Sequence, residues 1–598
     1  MAPIAPDTTT RGLCSETIAS QRNEGDVCLL STTEQRFFTN PVEIHVVHRI
    51  EEVMPLLEAL DTCVQSEGLY VAGYLSYEAS RAFDDALRVV DSGSSPLCWF
   101  GVYEEVQSTL PESRTDEVSR LKWTPGVSRE EFTETIARIR DYIGAGDTYQ
   151  VNYTFPMTAR FDGDPYAWFR AVSRAQRGQY SAYIHAGDHH VLSASPELFF
   201  SLDGDTLTTK PMKGTIARGL TVETDRKQAE QLQASTKDRA ENIMIVDLLR
   251  NDMGRISETG SVQVEKLFEV ARYDTLWQMT STISSKTQAS VPEIFRALFP
   301  SGSVTGAPKI RTSEIIRELE KGPRGAYCGA VGWWGPNRQA EFNVAIRTAT
   351  FQPEQAELVY PVGAAITWDS SPEGEYQECL LKAELVTKAR PEFELLESLL
   401  WDGEFFLLER HLFRLQQSAD YFGFPFDEDR VKYTLKRTVQ NRGEEKLKVR
   451  LLLSQDGQST CRCEPIAPEP TLRVAFAREP VDSLDVYLYH KTTNRTAYDL
   501  AVQGCDANDV ILWNQDGEVT ESTRANVVAK IDGVWKTPPV SSGLLAGTYR
   551  AQLLNEGAIE ECVLMREDLL RADEVKLVNS VRRWMAVDLL DPFDGDQE

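Results

Sequence analysis

The sequence predicts a mixed α and β protein of more than one domain, on three observations. Its 598 residues amount to roughly three to four ordinary domains, too many for one core. Between Phe37 and Val106, short apolar runs such as "EIHVVHRI" and "LYVAGYLSYEA" alternate with helical patterns. After "ARPEFELLESLLWDGEFF" a new α and β pattern begins and runs to the end, so a domain boundary is expected near 388–393.

The elements follow in order. Residues 1–30 are polar and irregular and read as a tail. In "SREEFTETIARIRDYIGAGD" (128–147), Ser128 and Glu131 make a capping box. Phe132, Ile136, Ile139 and Ile143 share one face of this predicted helix, and Gly144 and Gly146 stop it. "KPMKGTIARG" (210–219) reads as a sharp turn around Lys213 and Gly214, and these residues alone leave Lys213 open as solvated charge, phosphate anchor or nucleophile. No Gly or Pro falls between Thr221 and Met253, so "DRAENIMIVDLLRND" reads as helix, ended by Gly254. "FPSGSVTGAPKIRTSEIIRELEKG" is a loop feeding a helix closed by Gly322. "GAYCGAVGWWG" and "AEFNVAIRTATF" read as buried strands, and "SPEGEYQECLLKAELVTKAR" as the last helix of this half.

Bulk composition narrows the function. With 41% hydrophobic and 26% charged residues, the chain is expected to be globular rather than disordered. A formal charge of −28 argues against nucleic acid or an anionic membrane as partner. Were the substrate an anion, local cations or a metal would have to overcome that field. Ten cysteines without a CxxC pair suggest neither a disulfide framework nor a zinc site, and Cys461 and Cys463 read as structural. "MAPIAPDTTTRGLCSE" lacks an apolar targeting core and no run of 18 apolar residues occurs, so the cytoplasm is the expected compartment. Glu241 and Glu378, on separate predicted helices, suit a Mg²⁺ site, since that ion takes one or two carboxylates plus water and substrate oxygens. The plainer reading is that each caps or ion-pairs its own helix.

Seven blocks occur in order: "SASPELFF", "KPMKGTIARG", "KDRAENIMIVDLLRND", "SGSVTGAPKIR", "AYCGAVGW", "FNVAIRT" and "EYQECLLKA". Together they resemble the chorismate-utilising enzymes, which include anthranilate synthase large subunits, aminodeoxychorismate synthase component I and the isochorismate and salicylate synthases. The resemblance covers about 31–388 and implies a two-sheet α/β sandwich. It implies that Glu241 and Glu378 hold Mg²⁺ against the ring carboxylate of chorismate, and that Arg347 and Tyr327 bind the enolpyruvyl carboxylate. Thr305, Gly363 and Ala364 would add substrate contacts. Glu197 matches a general acid for the departing 4-hydroxyl, a poor leaving group without a proton.

Lys213 distinguishes among relatives. Anthranilate and isochorismate synthases typically carry alanine there, whereas aminodeoxychorismate synthases commonly carry a lysine nucleophile, whose pKa must fall well below about 10.4. Gln150 stands where water-adding relatives place a lysine base, which disfavours water as nucleophile. Two departures are visible: Gln278 where many relatives have histidine, and "PVGAAIT", with Ala364 and Ala365, in place of a glycine-rich loop. No cysteine lies in a "GxCxG" elbow, so ammonia is expected from a separate glutamine amidotransferase subunit.

In the second half, "LLERHLFRLQQSADYFG", "YHKTTNRTAYDLA", "GEVTESTRANVVAKIDG" and "TPPVSSGLLAGTYR" are each unspecific. Singly, Lys491 reads as a surface group and Glu521 as a hairpin end. Jointly the blocks resemble the fold-type IV pyridoxal-phosphate enzymes, over a domain at 394–598 with two subdomains. The resemblance implies that Lys491 anchors the cofactor, Glu521 pairs with its pyridine nitrogen, and Arg414 and Thr548 bind its phosphate. A homodimer through this domain is compatible with it. The two resemblances together imply synthesis of 4-aminobenzoate: amination of chorismate, then loss of pyruvate. A first half that is anthranilate synthase-like or another chorismate enzyme, fused to an aminotransferase or to a non-catalytic docking domain, remains an open alternative.

Overall fold

The apolar runs of the sequence become four β-sheets in a computed structural model that describes residues 23–31, 34–113, 121–176, 178–273, 276–387, 392–440, 442–443, 445–467 and 471–590. They divide between two units, one from residues up to 215 with 232–390, the other from 216–231 with 391 onward.

In the first unit a nine-stranded and a ten-stranded sheet stack face to face. Val27, Leu29 and Ile184 of one pack against Tyr74, Trp99 and Trp333 of the other. Helices cover both outer faces. Ile50–Glu67, Thr236–Gly254 and Val291–Leu298 pack on the ten-stranded sheet. Arg129–Gly144, Lys309–Leu319 and Pro372–Thr387 pack on the nine-stranded one. This layering explains unbroken apolar strands such as Ala330–Gly335, buried at every position. It is the sandwich the sequence implied.

Local signals held where the chain could decide locally. Ser128 Oγ accepts from Glu131 N at 3.2 Å and the Glu131 carboxylate accepts from Ser128 N at 3.2 Å. Phe132, Ile136 and Ile139 are fully buried, worth about 2 kcal/mol each.

Several expectations are corrected. Val27–Ser31, partly assigned to the tail, is a buried strand, while residues 1–22 lie outside the described residues. Most of the expected boundary also lies outside them, at 388–391. The helix read over "DRAENIMIVDLLRND" is present as Thr236–Gly254, ended at Gly254 as expected and capped by Ser235, which accepts from Asp238 N; a separate helix, Val222–Ala234, precedes it. Lys213 sits not in a turn but in the strand Met212–Ala217, bent at Gly214 with φ 89°. "AEFNVAIRTATF" is two strands, Gln339–Val344 and Thr348–Gln352, parted near Arg347 at φ 50°. "PVGAAIT" is no loop: it lies largely within the strand Glu357–Ile366, paired along its length with Gln150–Arg160.

The second unit has two subdomains. A three-stranded sheet (Leu395–Trp401, Leu447–Leu453, Ser459–Pro465) packs with helices Leu408–Phe422 and Glu428–Val439 around Leu412, Leu415, Leu435 and Val449. An eight-stranded mixed sheet follows, in which Leu472–Phe476 runs parallel to both Asp509–Trp513 and Arg583–Leu589. Residues 216–231, assigned from sequence to the first domain, belong here. Arg218 forks onto Asp225 at 2.6 and 2.7 Å, stacks 4.2 Å over Tyr421 and donates to its carbonyl, while Tyr421 Oη donates to Gly219 O. No helix among the described residues is long and apolar enough to cross a membrane.

Candidate active sites

Each unit holds a cavity lined by candidate residues. The first, about 350 Å³, is lined by Glu197, Lys213, Glu241, Tyr327, Arg347, Gly363, Ala364 and Glu378. These residues come from far apart in sequence, and sheet pairing converges them. Leu198–Asp203 bonds both Thr206–Lys210 and Gln339–Val344, bringing Glu197 near the approach to Arg347.

Burial tunes the reacting groups. Glu197 is 3% exposed, and burial pushes its carboxyl up to about 7, partly offset by Ser303 and Lys213. Burial lowers the Lys213 ammonium, while the Glu241 and Glu197 carboxylates pull it back. Both shifts favour neutral forms, a proton on the acid and a lone pair on the amine. Gln278 braces the lysine's bend: Thr215 Oγ1 donates to Gln278 Oε1 at 2.9 Å, and Gln278 Nε2 donates to Gly214 O at 2.7 Å.

Glu241 and Glu378 open on the cavity from separate helices, with Glu375 one turn before Glu378. No cluster of three or more metal-ligating side chains occurs among the described residues. A carboxylate pair with room for water and ligand oxygens still fits Mg²⁺ better than a softer ion. Burial raises Glu241. At Glu378 burial is outweighed by Lys382, whose Nζ lies 2.8 Å from Oε1, and the carboxyl stays below its usual range.

Lys382 was not singled out from sequence, although it stands in the "EYQECLLKA" block. It lines the cavity with Arg347, donates to Gly363 O at 2.9 Å and ion-pairs with Glu378. Thr305, in contrast, does not reach the cavity. Its hydroxyl donates to Ser301 O at 3.1 Å and its carbonyl accepts from Asn152 N. Gln150 is fully buried and is not among the lining residues.

The second cavity, about 540 Å³, is lined by Arg414, Lys491, Tyr498, Glu521, Asn526 and Thr548 among others. Burial, with Arg414 beside it, lowers the Lys491 ammonium to about 8. Glu521 is buried and raised to about 7 by burial, although Leu545 N, Tyr498 Oη and Asn526 Nδ2 all donate to it. A cation at this carboxylate would draw it back to the ionised form, as the pyridinium nitrogen of pyridoxal phosphate does. Arg414 is aimed by Glu397, which accepts from its Nε and Nη2 at 2.8 and 2.7 Å. Despite burial, Arg414 and His411 hold Glu397 down at about 2. His411 in turn shares a 3.3 Å hydrogen bond with the Thr548 hydroxyl. A lysine, an acid and an arginine that line one cavity with Gly547 and Thr548 therefore fit the aldehyde, nitrogen and phosphate of that cofactor. Glu397, His411, Tyr498 and Asn526 escaped the sequence reading because each acts by holding another residue.

Comparison with known proteins gives the following. Residues 16–388 match the family model of chorismate binding enzymes, and residues 393–590 that of amino-transferase class IV. Aminodeoxychorismate synthase component 1 of Klebsiella aerogenes is 41% identical over 290 residues, 48% of this chain and 62% of that protein. The Salmonella typhimurium protein of the same name is 38% identical over 390 residues, 60% of this chain and 85% of its own length. The chain thus spans less than two thirds of the first relative. The crystal structure of anthranilate synthase component I from Streptococcus pneumoniae aligns with a TM-score of 0.53 at 24% identity, covering 64% of this chain and 96% of that one. At that identity it speaks to the fold.

Proposed function

The chain belongs to the chorismate binding enzyme family, and on that premise we propose that it makes 4-aminobenzoate from chorismate in two steps, one in each cavity. The observation that carries the reading is a lysine and a carboxylic acid in the first cavity, Lys213 and Glu197, both shifted toward their neutral forms. The relatives named aminodeoxychorismate synthase component 1 support it.

In the first cavity Arg347, Tyr327 and Lys382 would orient the two carboxylates of chorismate. Glu241 and Glu378 would hold Mg²⁺, which supplies positive charge for one of them. Glu197 donates its proton to the 4-hydroxyl, which leaves as water. The Lys213 amine forms a bond to the ring and gives up a proton. Ammonia then bonds at C4 and gives up a proton, and the Lys213 nitrogen takes a proton and leaves with its bonding pair, so the neutral lysine amine is regenerated. The name "component 1" supports a second component, a glutamine amidotransferase, as the ammonia source.

In the second cavity Lys491, Glu521, Arg414 and Thr548 would hold pyridoxal phosphate, which supplies an electron sink when bound. Lys491, near neutrality at about 8, is suited to take the proton from C4 of the bound amine. Loss of pyruvate then leaves the aromatic product. The nine described cysteines are all free, which agrees with a reducing compartment such as the cytoplasm. The purified chain, given chorismate, Mg²⁺, an ammonium salt and pyridoxal phosphate, should form 4-aminobenzoate and pyruvate by mass spectrometry. Anthranilate as product, or amino transfer to 2-oxo acids without 4-aminobenzoate, would overturn the reading.

A further inference from the structure

Four arginines that line the second cavity have no part in the scheme above, Arg450, Arg495, Arg524 and Arg582, and the first two stand apart. Arg495 follows Lys491 by four residues. Its guanidinium lies 4.5 Å over the Tyr498 ring, and its Nη2 donates to Thr523 O. Tyr498 is tied in turn to Glu521 at 2.8 Å, so the guanidinium rests on a fixed platform. Arg495 and Lys491 line the same cavity, and the guanidinium is one of the charges that lower the lysine ammonium. Arg450, on the strand Leu447–Leu453, lines the same cavity two residues from Lys448 and so on the same face.

The other cations of this cavity are already engaged, Arg582 Nη1 donating to Ala467 O at 3.0 Å. Lys448 Nζ lies 2.8 Å from Glu464, and Arg524 Nε 3.2 Å from Asp509. Arg414 is committed to Glu397 and stands beside the proposed phosphate position. Neither Arg450 nor Arg495 makes an ion pair with any described residue; Glu464 senses Arg450 only after its own partner Lys448. In a chain of net charge −28, two such arginines at one cavity point to an anion with more than one charged group. Planar guanidinium is the side chain best matched to carboxylate, taking both oxygens at once.

We propose that Arg495 and Arg450 make the second cavity selective for a dicarboxylate amine, Arg495 taking the carboxylate nearer Lys491 and Arg450 the other. The proposal rests on the lyase reading, since aminodeoxychorismate carries one carboxylate on its ring and one on its enolpyruvyl arm. A monocarboxylate amino acid would engage only one of the two arginines. Chemistry at Lys491 would then be gated by charge count as well as by shape.

The test uses the full chain loaded with pyridoxal phosphate and supplied with aminodeoxychorismate directly, so the first cavity is bypassed. R495Q and R450Q should keep the cofactor absorbance band, with affinity for pyridoxal phosphate within about twofold, while KM rises about 10- to 100-fold per lost arginine. R495K, which keeps charge but not the fork, should fall between. KM unchanged in both glutamine variants would overturn the proposal. So would loss of the cofactor band in step with KM, which marks a structural role. Should R495Q misfold, the exposed Arg450 still decides. A parent chain that forms no 4-aminobenzoate but transfers amino groups with at least tenfold preference for glutamate over alanine, lost in R450Q, would overturn the lyase reading and keep the dicarboxylate site. Amino transfer without that preference would overturn both.

Discussion

Replacing Glu521 by glutamine in the cofactor-free protein should stabilise it at alkaline pH, although three hydrogen bonds converge on that carboxylate. Glu521 is 4% exposed, and burial lifts its pKa from the ordinary 4.5 to about 7. At 1.36 kcal/mol per pH unit, keeping it ionised costs the fold roughly 3 kcal/mol. The sign follows from the raised value. The folded state holds the proton more tightly, so the full stability is present below about pH 4.5 and is lost as pH climbs through about 7. Glutamine removes that loss. It keeps an acceptor for Tyr498 Oη and Leu545 N, but turns an amide toward Asn526 Nδ2, at a cost of about 1 kcal/mol. E521Q should therefore nearly equal the parent at pH 5 and exceed it by about 2 kcal/mol at pH 8. Urea unfolding at the two pH values, following the transition that pyridoxal phosphate raises, measures both differences. Equal destabilisation at pH 5 and pH 8 would refute the reasoning. With cofactor present the order should reverse, because the carboxylate then has a cation to meet.

Lys213→Ala should lower ammonia-dependent amination of chorismate by at least about a thousandfold while chorismate binding, read by calorimetry, persists. Near-normal amination at saturating ammonia would remove Lys213 from the chemistry. Glu241→Gln or Glu378→Gln should weaken Mg²⁺ binding by at least about tenfold and slow the first reaction only; lyase activity on supplied aminodeoxychorismate is the control, and normal rates at low magnesium would disprove the assignment. Lys491→Ala should lose the cofactor's protein-bound absorbance and accumulate aminodeoxychorismate, with 4-aminobenzoate restored by adding a separate lyase. Product at the parent rate from that variant would refute the role of Lys491.

Much was legible before any fold was known, and for a physical reason: short-range information suffices for it. The helix Arg129–Gly144 is specified by a cap, a face and a stop within twenty residues, and the strand Ala330–Gly335 by an unbroken apolar run. The ordered blocks pointed to Lys213, Glu197, Glu241 and Glu378 because each carries its own neighbours in the chain. What the blocks could not convey is which side chains turn toward a common space. Thr305 stood in a block yet spends its hydroxyl on Ser301 O, while Lys382, one turn beyond Glu378, reaches the cavity. Gln278 was visible as a missing histidine, but its grip on Gly214 and Thr215 depends on strands 63 and 64 residues apart in sequence. The same holds for Glu397, which aims Arg414 from 17 residues away, and for the segment 216–231, drawn to the second unit by Tyr421. Sequence by itself determined the capped helices, the unbroken apolar strands and the division into two halves apart from 216–231, since those rest on periodicity and local chemistry. Only the tertiary structure decided orientation and electrostatic environment, because burial and long-range pairing turn a lysine or a glutamate from a surface charge into a group poised near neutrality.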